Sequence, residues 1–436
     1  MKKFTGYMIM MGMGIAFLSC SDSNPSPDSN PSPSSPQNLK RVDIQLSENE
    51  KEIASKQCEF PVKLLSAAVE QGENVNVMVS PLSAQMVLGM MTNAIDQPDR
   101  AEILQTLNLK EQDLPSLNSY LLNLAGTLPG IDKQSIFRMA NGFWLSRQAS
   151  LSSSYEDVLK GYYSSEIRNF DVFDAAVINE INGWVDEKTG GGIPRILNES
   201  DANPSIMTAW LNTIFFKGVW RQKFNKDLTE KEPFYPNYPN ESVAVSTDMM
   251  CGWGFRYKYY HFPTPSDDYD DAITAVMLPY GNESYIFTAV LPAENKPDIA
   301  STLKELDAEF WYNVDEICSY ERNSPGDVDV YMPKIHNECA NNMIPVFQRM
   351  GLSNIFNEIS MEENLGLGNQ LIGIFRQNVV LDLDEEGSEI KVVTESSGML
   401  TSPEPEPIIN FNRPFIYFVR ERSTGAVILA GVYTRP

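Results

Sequence analysis

The chain is short of positive charge, of histidine and of long apolar runs, and each shortage narrows what it can do. Its 34 Lys and Arg stand against 58 Asp and Glu, a net charge of −24. Phosphate backbones are bound through basic patches, so nucleic acid is disfavoured as a partner. The acid surplus otherwise serves solubility. Only two histidines occur, His261 and His336. Neither stands beside a nucleophile motif, and the chain has no Gly-x-Ser-x-Gly, His-Glu-x-x-His or phosphate-binding loop. Catalysis and a bound cofactor are therefore not expected. Asp382-x-Asp384-x-Glu386-Gly387 echoes a calcium loop, but its twelfth position is Val393 where a bidentate Glu is required. It reads as a solvated turn, the acidic run Asp267-Asp268-Tyr269-Asp270-Asp271 reads as a solvated loop, and no metal is expected. Five cysteines, at 20, 58, 251, 318 and 339, lack zinc or redox spacing. An oxidising compartment would permit disulfides among the last four, but most read as buried free thiols.

What is present begins with Lys2 and Lys3 ahead of an apolar run from Tyr7 to Leu18, then Ser19-Cys20, the layout of a secretory signal peptide. The run is shorter than the ~20 residues of a membrane-spanning helix. Ser19-Cys20 resembles a bacterial lipobox, although Phe17 stands where Leu is usual. The resemblance implies that residues 1–19 are removed and that Cys20 is lipidated, so that the protein is exported and meets the outer membrane only through its anchor. Secretion with an unmodified Cys20 is the alternative. Ser21-Asp22-Ser23 resembles the acidic tags that carry some lipoproteins of the Bacteroides group to the cell surface. Residues 20–41, rich in Ser, Asn and Pro, read as the anchor and a disordered spacer. Folded sequence starts near Val42, and 42% apolar residues over a 436-residue chain suit one large domain or two.

Along that folded part, Val77-Met78-Val79 reads as a short strand and Ser80-Pro81-Leu82-Ser83 as a capped helix start. Met139 to Leu145 reads as a buried strand. Val177, Ile178, Ile181, Trp184 and Val185 recur at helical spacing, and Thr189-Gly190-Gly191-Gly192 ends that helix. Leu211-Asn212-Thr213-Ile214-Phe215-Phe216-Lys217-Gly218-Val219-Trp220 is followed by Phe224, Thr229 and the pair Met249-Met250. Ala272 to Tyr280 and Tyr285 to Pro292 read as a hairpin around Gly281-Asn282-Glu283-Ser284. Val328 to Lys334, a strand from Asn378 to Leu383 and a hairpin from Phe415 to Val432 complete the series.

The stretch Glu385 to Ser402 organises the rest. In strand alternation one face carries Ser388, Ile390, Val392, Thr394, Ser396, Gly398 and Leu400, and all three charges, Glu389, Lys391 and Glu395, fall on the other. The first face can lie on a core without burying an unpaired ion. Pro403, Pro405 and Pro407 then favour an exposed, extended tether.

Glu385-Glu386-Gly387 before this stretch and Phe411-Asn412-Arg413-Pro414-Phe415 behind it resemble the hinge and reactive-centre loop of the serpins. The Asn212 to Trp220 motif closely resembles a serpin signature, and the other motifs follow in family order over residues 42–436. The resemblance implies one α+β domain, with about nine helices around three β-sheets and an exposed reactive loop. It implies a monomeric suicide inhibitor whose loop is cut by a protease and then inserts into the main sheet. The hinge would be Glu385, Glu386, Gly387, Ser388 and Glu389, and the sheet would open near Ser80, Pro81, Ser83, Asn212 and Gln377. Counting about seventeen residues from Glu385, as is usual in serpins for such insertion, the resemblance places the bond between Thr401 and Ser402, with Leu400 or Met399 as alternatives before it. Those residues are uncharged, so serine proteases of elastase-like specificity come first, and chymotrypsin-like or cathepsin-type enzymes second. Arg at Gly387 or Ser388 would then turn the inhibitor into a substrate.

Two departures qualify the pattern. Ile390 and Val392 are β-branched where serpins usually carry Ala, which slows entry into a tight gap but adds burial, and this favours a non-inhibitory carrier or binding module as the alternative. Gln377 stands where many serpins have His; it can donate and accept, so a hydrogen-bond network there can survive.

Overall fold

Local signals build most of the elements. In a computed structural model of the chain, the described residues are 40–72, 75–255, 259–262, 272–317, 328–357, 359–370, 372, 374–388 and 408–436. At the expected hairpin, Gly281 and Glu283 take positive φ and Asn282 Oδ1 accepts from Ser284 N at 3.0 Å. That reverses β8 (Ile273–Pro279) into antiparallel β9 (Tyr285–Leu291). β9 is buried along its whole length, as are β17 (Phe415–Glu421) and β18 (Val427–Tyr433). They are the interior of a six-stranded sheet ordered β1 (Val77–Val79), β18, β17, β9, β8 and β7 (Tyr259–Phe262).

Strands buried on both faces need a layer on each side. Helix Pro81–Ala94 packs against β18 and also against β4 (Thr208–Lys217) of a second sheet. Nearly all its residues are buried, so its apolar side chains run round the helix and not in one stripe. Ser80 caps it: Oγ accepts from Ser83 N at 3.4 Å and donates to Ile428 O at 2.6 Å. Pro81 takes the first helical position, where no amide donor is needed.

The second layer comes in two halves. One is β3 (Glu166–Phe170), β2 (Ile136–Ser146) and β4; the other is β11 (Ile335–Asn342), β14 (Arg376–Asp384) and β15 (Gly387–Ser388). Helix Ala175–Thr189 lies on β2 and β4 with Ile178, Ile181, Trp184 and Val185 inward, and Gly190 at φ 68° ends it as the glycine run suggests. A four-stranded sheet runs β16 (Ile408–Asn410), β10 (Val328–Pro333), β6 (Val245–Phe255) and β5 (Glu230–Phe234), and β12 (Ile359–Met361) pairs with β13 (Leu367–Gln370).

Among the described residues there are eleven α-helical segments and five sheets, against an expectation of about nine and three. The α+β class stands; the counts differ because some segments are short, Glu362–Leu365 being four residues, and because β4 and β14 are not paired. Cys251 is buried, Cys339 half-buried and Cys58 exposed, so the burial expected of most thiols fails at Cys58.

Candidate functional site

β14 ends at Asp384, whose Oδ1 accepts from Glu386 N at 2.8 Å and closes a tight reversal into β15. Ser388 then lies opposite Leu383, and Gly387 opposite Asp384. On its other edge β15 meets the chain just past β4. Gly387 bridges Val219, Ser388 N donates to Gly218 O at 2.8 Å, and Trp220 N donates to Glu386 O at 2.9 Å. The hinge is thus held between the two half-sheets. Gly387 has φ 144°, and a Cβ there would sit 2.1 Å from Gly218 O, so the approach needs glycine.

Side chains fix the same residues. Glu385 is 2% exposed, and its Oε1 accepts from Lys334 Nζ at 2.8 Å and Thr229 Oγ1 at 2.7 Å. Burial alone would push its carboxyl up, but these bonds outweigh burial and hold it below its ordinary value. Glu386 pairs with Lys223, and with Lys226 at 3.4 Å. Ser388 is buried with its Oγ 2.8 Å from the Tyr280 hydroxyl. Tyr280 stacks on Trp220 at 4.5 Å between ring centroids, and Trp220 Nε1 donates to Asp384 O at 2.9 Å.

Beyond the hinge a cleft of about 40 Å³ separates β4 from β14. Among the described residues β4 pairs only with β2, and β14 only with β11 and β15. Ile214 and Phe216 form one wall, Val379 and Leu381 the other, with Val419 and Leu429 beside them. Asn212 Oδ1 and Thr213 Oγ1, also on the cleft, are buried with no hydrogen-bond partner. Native interiors rarely leave such atoms unpaired.

At the far end of β14, Gln377 and Ser80 exchange hydrogen bonds, using both roles of the amide. Ser83 Oγ lies 3.5 Å from Asn212 O, and Asn212 Nδ2 donates to Asn141 Oδ1 at 2.8 Å. Ser80, Pro81, Ser83, Asn212 and Gln377 therefore gather at one end of the cleft, and Glu385, Glu386, Gly387 and Ser388 at the other. Glu389, Met399, Leu400, Thr401, Ser402 and Cys20 lie outside the described residues, as do the spacer and the acidic run. Tyr280, Lys334 and Gly218 had no place in the sequence reading of the hinge. Their contacts join distant segments, and no local spacing signals them.

The family model described as Serpin (serine protease inhibitor) matches residues 55–436. The corticosteroid-binding globulin of Saimiri sciureus is 28% identical over 403 residues, which cover 90% of this chain and 93% of that protein. Serpin B6 of Bos taurus is 27% identical over 393 residues, covering 86% and 97%. The crystal structure of the thermophilic serpin tengpin in its native state aligns with a TM-score of 0.75 at 22% identity, over 91% of this chain and 96% of that one, a likeness of fold. The order of motifs, the divided central sheet with its hinge and this match over nearly the whole length lead to one assignment: the chain belongs to the serpin family.

Proposed function

We propose that this serpin is a suicide-substrate inhibitor of serine proteases, with elastase-like enzymes first, and chymotrypsin-like or cathepsin-type enzymes second. Most serpins are protease inhibitors and not enzymes, and here too the attacking nucleophile belongs to the target. One observation carries the reading: Gly387 and Ser388 are docked between Leu383–Asp384 and Gly218–Val219, at the mouth of a cleft whose two edges are not joined among the described residues.

An inserted strand that kept the register of Gly387 and Ser388 would bring Ile390 level with Phe216 and Leu381, Val392 with Ile214 and Val379, and Thr394 with Asn212 and Gln377. The β-branched pair thus meets the apolar walls, and a hydroxyl meets the polar end. Bulk that argued for a carrier becomes cleft filling, worth about 1.5–3 kcal/mol for each side chain. In this mechanism the target attacks the bond between Thr401 and Ser402, or one or two residues earlier after Leu400 or Met399, and forms an acyl-enzyme. Insertion of about twelve residues, ~40 Å of strand, then carries the acylated protease away before water releases it. The inhibitor is exported and held at the outer membrane through lipidated Cys20, with residues 20–41 as tether.

Incubation with neutrophil elastase followed by denaturing electrophoresis tests the reading. A band at the summed mass that survives denaturant is the expected outcome. Cleaved serpin with active protease, and no gain of thermal stability on cleavage, would overturn it in favour of a ligand carrier, the role named by the corticosteroid-binding relative.

A further inference from the structure

We propose that Tyr280 is a positioning residue, its buried hydroxyl pinning Ser388 and so fixing the register in which the reactive strand enters the cleft. The contact is built from both sides. Tyr280 is fully buried, lies flat on Trp220 with 6° between the rings, and meets Phe216 edge-on at 5.3 Å. Its backbone is tied as well, with its N donating to Tyr285 O at 2.9 Å and its O accepting from Glu283 N at 2.7 Å. A Cβ on Gly218 would lie 2.5 Å from the ring, so that glycine makes room for Tyr280. A ring packed in this way cannot follow Ser388, and the hydroxyl is a fixed point.

Its bond differs in kind from the ion pairs at the hinge. Glu385 and Glu386 are held by lysines whose side chains are 39–51% exposed. Such pairs hold the turn but, with a point charge on a flexible stem, are geometrically tolerant. Tyr280 to Ser388 is a buried, directional bond at 2.8 Å to the last residue before the loop. Its directionality matters because a slip of one residue in a strand sends every later side chain to the opposite face. A slip here would turn Glu389 and Lys391 toward the apolar walls in place of Ile390 and Val392. Burial pushes the Tyr280 phenol up, so it stays neutral across the working pH range.

The inference rests on the inhibitor reading for its consequence, but the contact is testable without it. Tyr280→Phe keeps the stacked ring and removes only the hydroxyl; Ser388→Ala removes the same bond from the other side, and Ser388→Thr keeps it. In the native protein, exchange of the Gly387 and Ser388 amides, read by mass spectrometry, is expected to quicken roughly 2- to 12-fold in Tyr280→Phe and in Ser388→Ala, the range of one net hydrogen bond. Ser388→Thr should match the unaltered protein. Unchanged exchange in both of the first two variants overturns the anchor.

With a protease that the unaltered protein traps, the fraction cleaved without trapping is expected to rise by a similar factor in each single variant. The double variant should be no worse than either, because removing both partners leaves no buried hydroxyl unpaired. The rate of loop cleavage should not move. Additive effects, or an unchanged fraction, overturn the positioning role. A protein that traps no protease and gains no stability on cleavage defeats the inhibitor reading instead, and the exchange measurement still decides the contact.

Discussion

Gln377 and Ser80 are bound reciprocally: Ser80 N donates to Gln377 Oε1 and Gln377 Nε2 donates to Ser80 O, each at 2.8 Å. Both residues are buried, so neither backbone group has water as a substitute. Gln377→Ala strands the Ser80 N–H, while Ser80 O still accepts from Ala84 N at 3.1 Å, and is expected to cost about 1–3 kcal/mol in urea unfolding. Gln377→His should cost less near pH 8, because a neutral ring still offers one donor and one acceptor. As pH falls through the ordinary imidazole range near ~6.5, the ring loses its acceptor and the deficit should grow. A Gln377→His variant equally stable at pH 5.5 and pH 8 would mean that the ring does not take the place of the amide.

Glu385 gives a second pH signature, with the opposite sign. Its carboxyl is held below its ordinary value of 4.5, so its bonds stabilise the native state above that value and are lost as pH falls through the lower folded value. Lys334→Ala removes the charged partner of the buried carboxylate and leaves it its neutral donors, Thr229 among them. Since the Lys334 side chain is 40% exposed, the loss at pH 7 is expected to be about 1–2 kcal/mol and not the full buried-pair penalty. Unfolding midpoints of variant and unaltered protein should converge once pH is well below 4.5. A gap that persisted there would assign the effect to packing of the lysine stem.

How much of this was legible beforehand follows the range of the interactions. The Ser80 cap, the Gly190 helix end, the Gly281–Ser284 reversal and the strand at Met139–Leu145 rest on residues close in sequence, and each formed as read. Gln377 was expected to both donate and accept, and it does. The alternation after Gly387 showed which face could be buried, but nothing local tells that Ser388 already lies under Tyr280. Nor does Glu385 beside Glu386 betray that one is almost fully buried, because its partners Lys334 and Thr229 come from other strands and loops. That β4 and β14 do not pair with each other among the described residues is likewise a property of the assembled sheet.

Gly387 tests the close approach of the hinge to β4. Gly387→Ala must either abandon φ 144° or push Gly218 O away from 2.1 Å, and both loosen the bridge to Val219. A loss of about 1–3 kcal/mol of native stability is expected in thermal unfolding. The same crowding makes Arg at Gly387 or Ser388 an ambiguous test of insertion, since both residues are already packed in the native protein.

Substitutions further along separate insertion from native packing. In the register set by Gly387 and Ser388, Ile390→Arg or Val392→Arg would drive a charge between the apolar walls of the cleft, at a cost insertion cannot offset. Each variant should be cleaved as fast as the unaltered protein, yield no covalent band and show no rise in thermal midpoint after cleavage. Ile390→Ala and Val392→Ala should still trap protease, but the cleaved form should lose about 1.5–3 kcal/mol of stability for each side chain removed. Lys391→Glu, on the alternate face, should leave the trap intact. If Lys391→Glu abolished trapping while Ile390→Arg did not, the strand would enter one residue out of this register, and the contact between Ser388 and Tyr280 would not be what sets it.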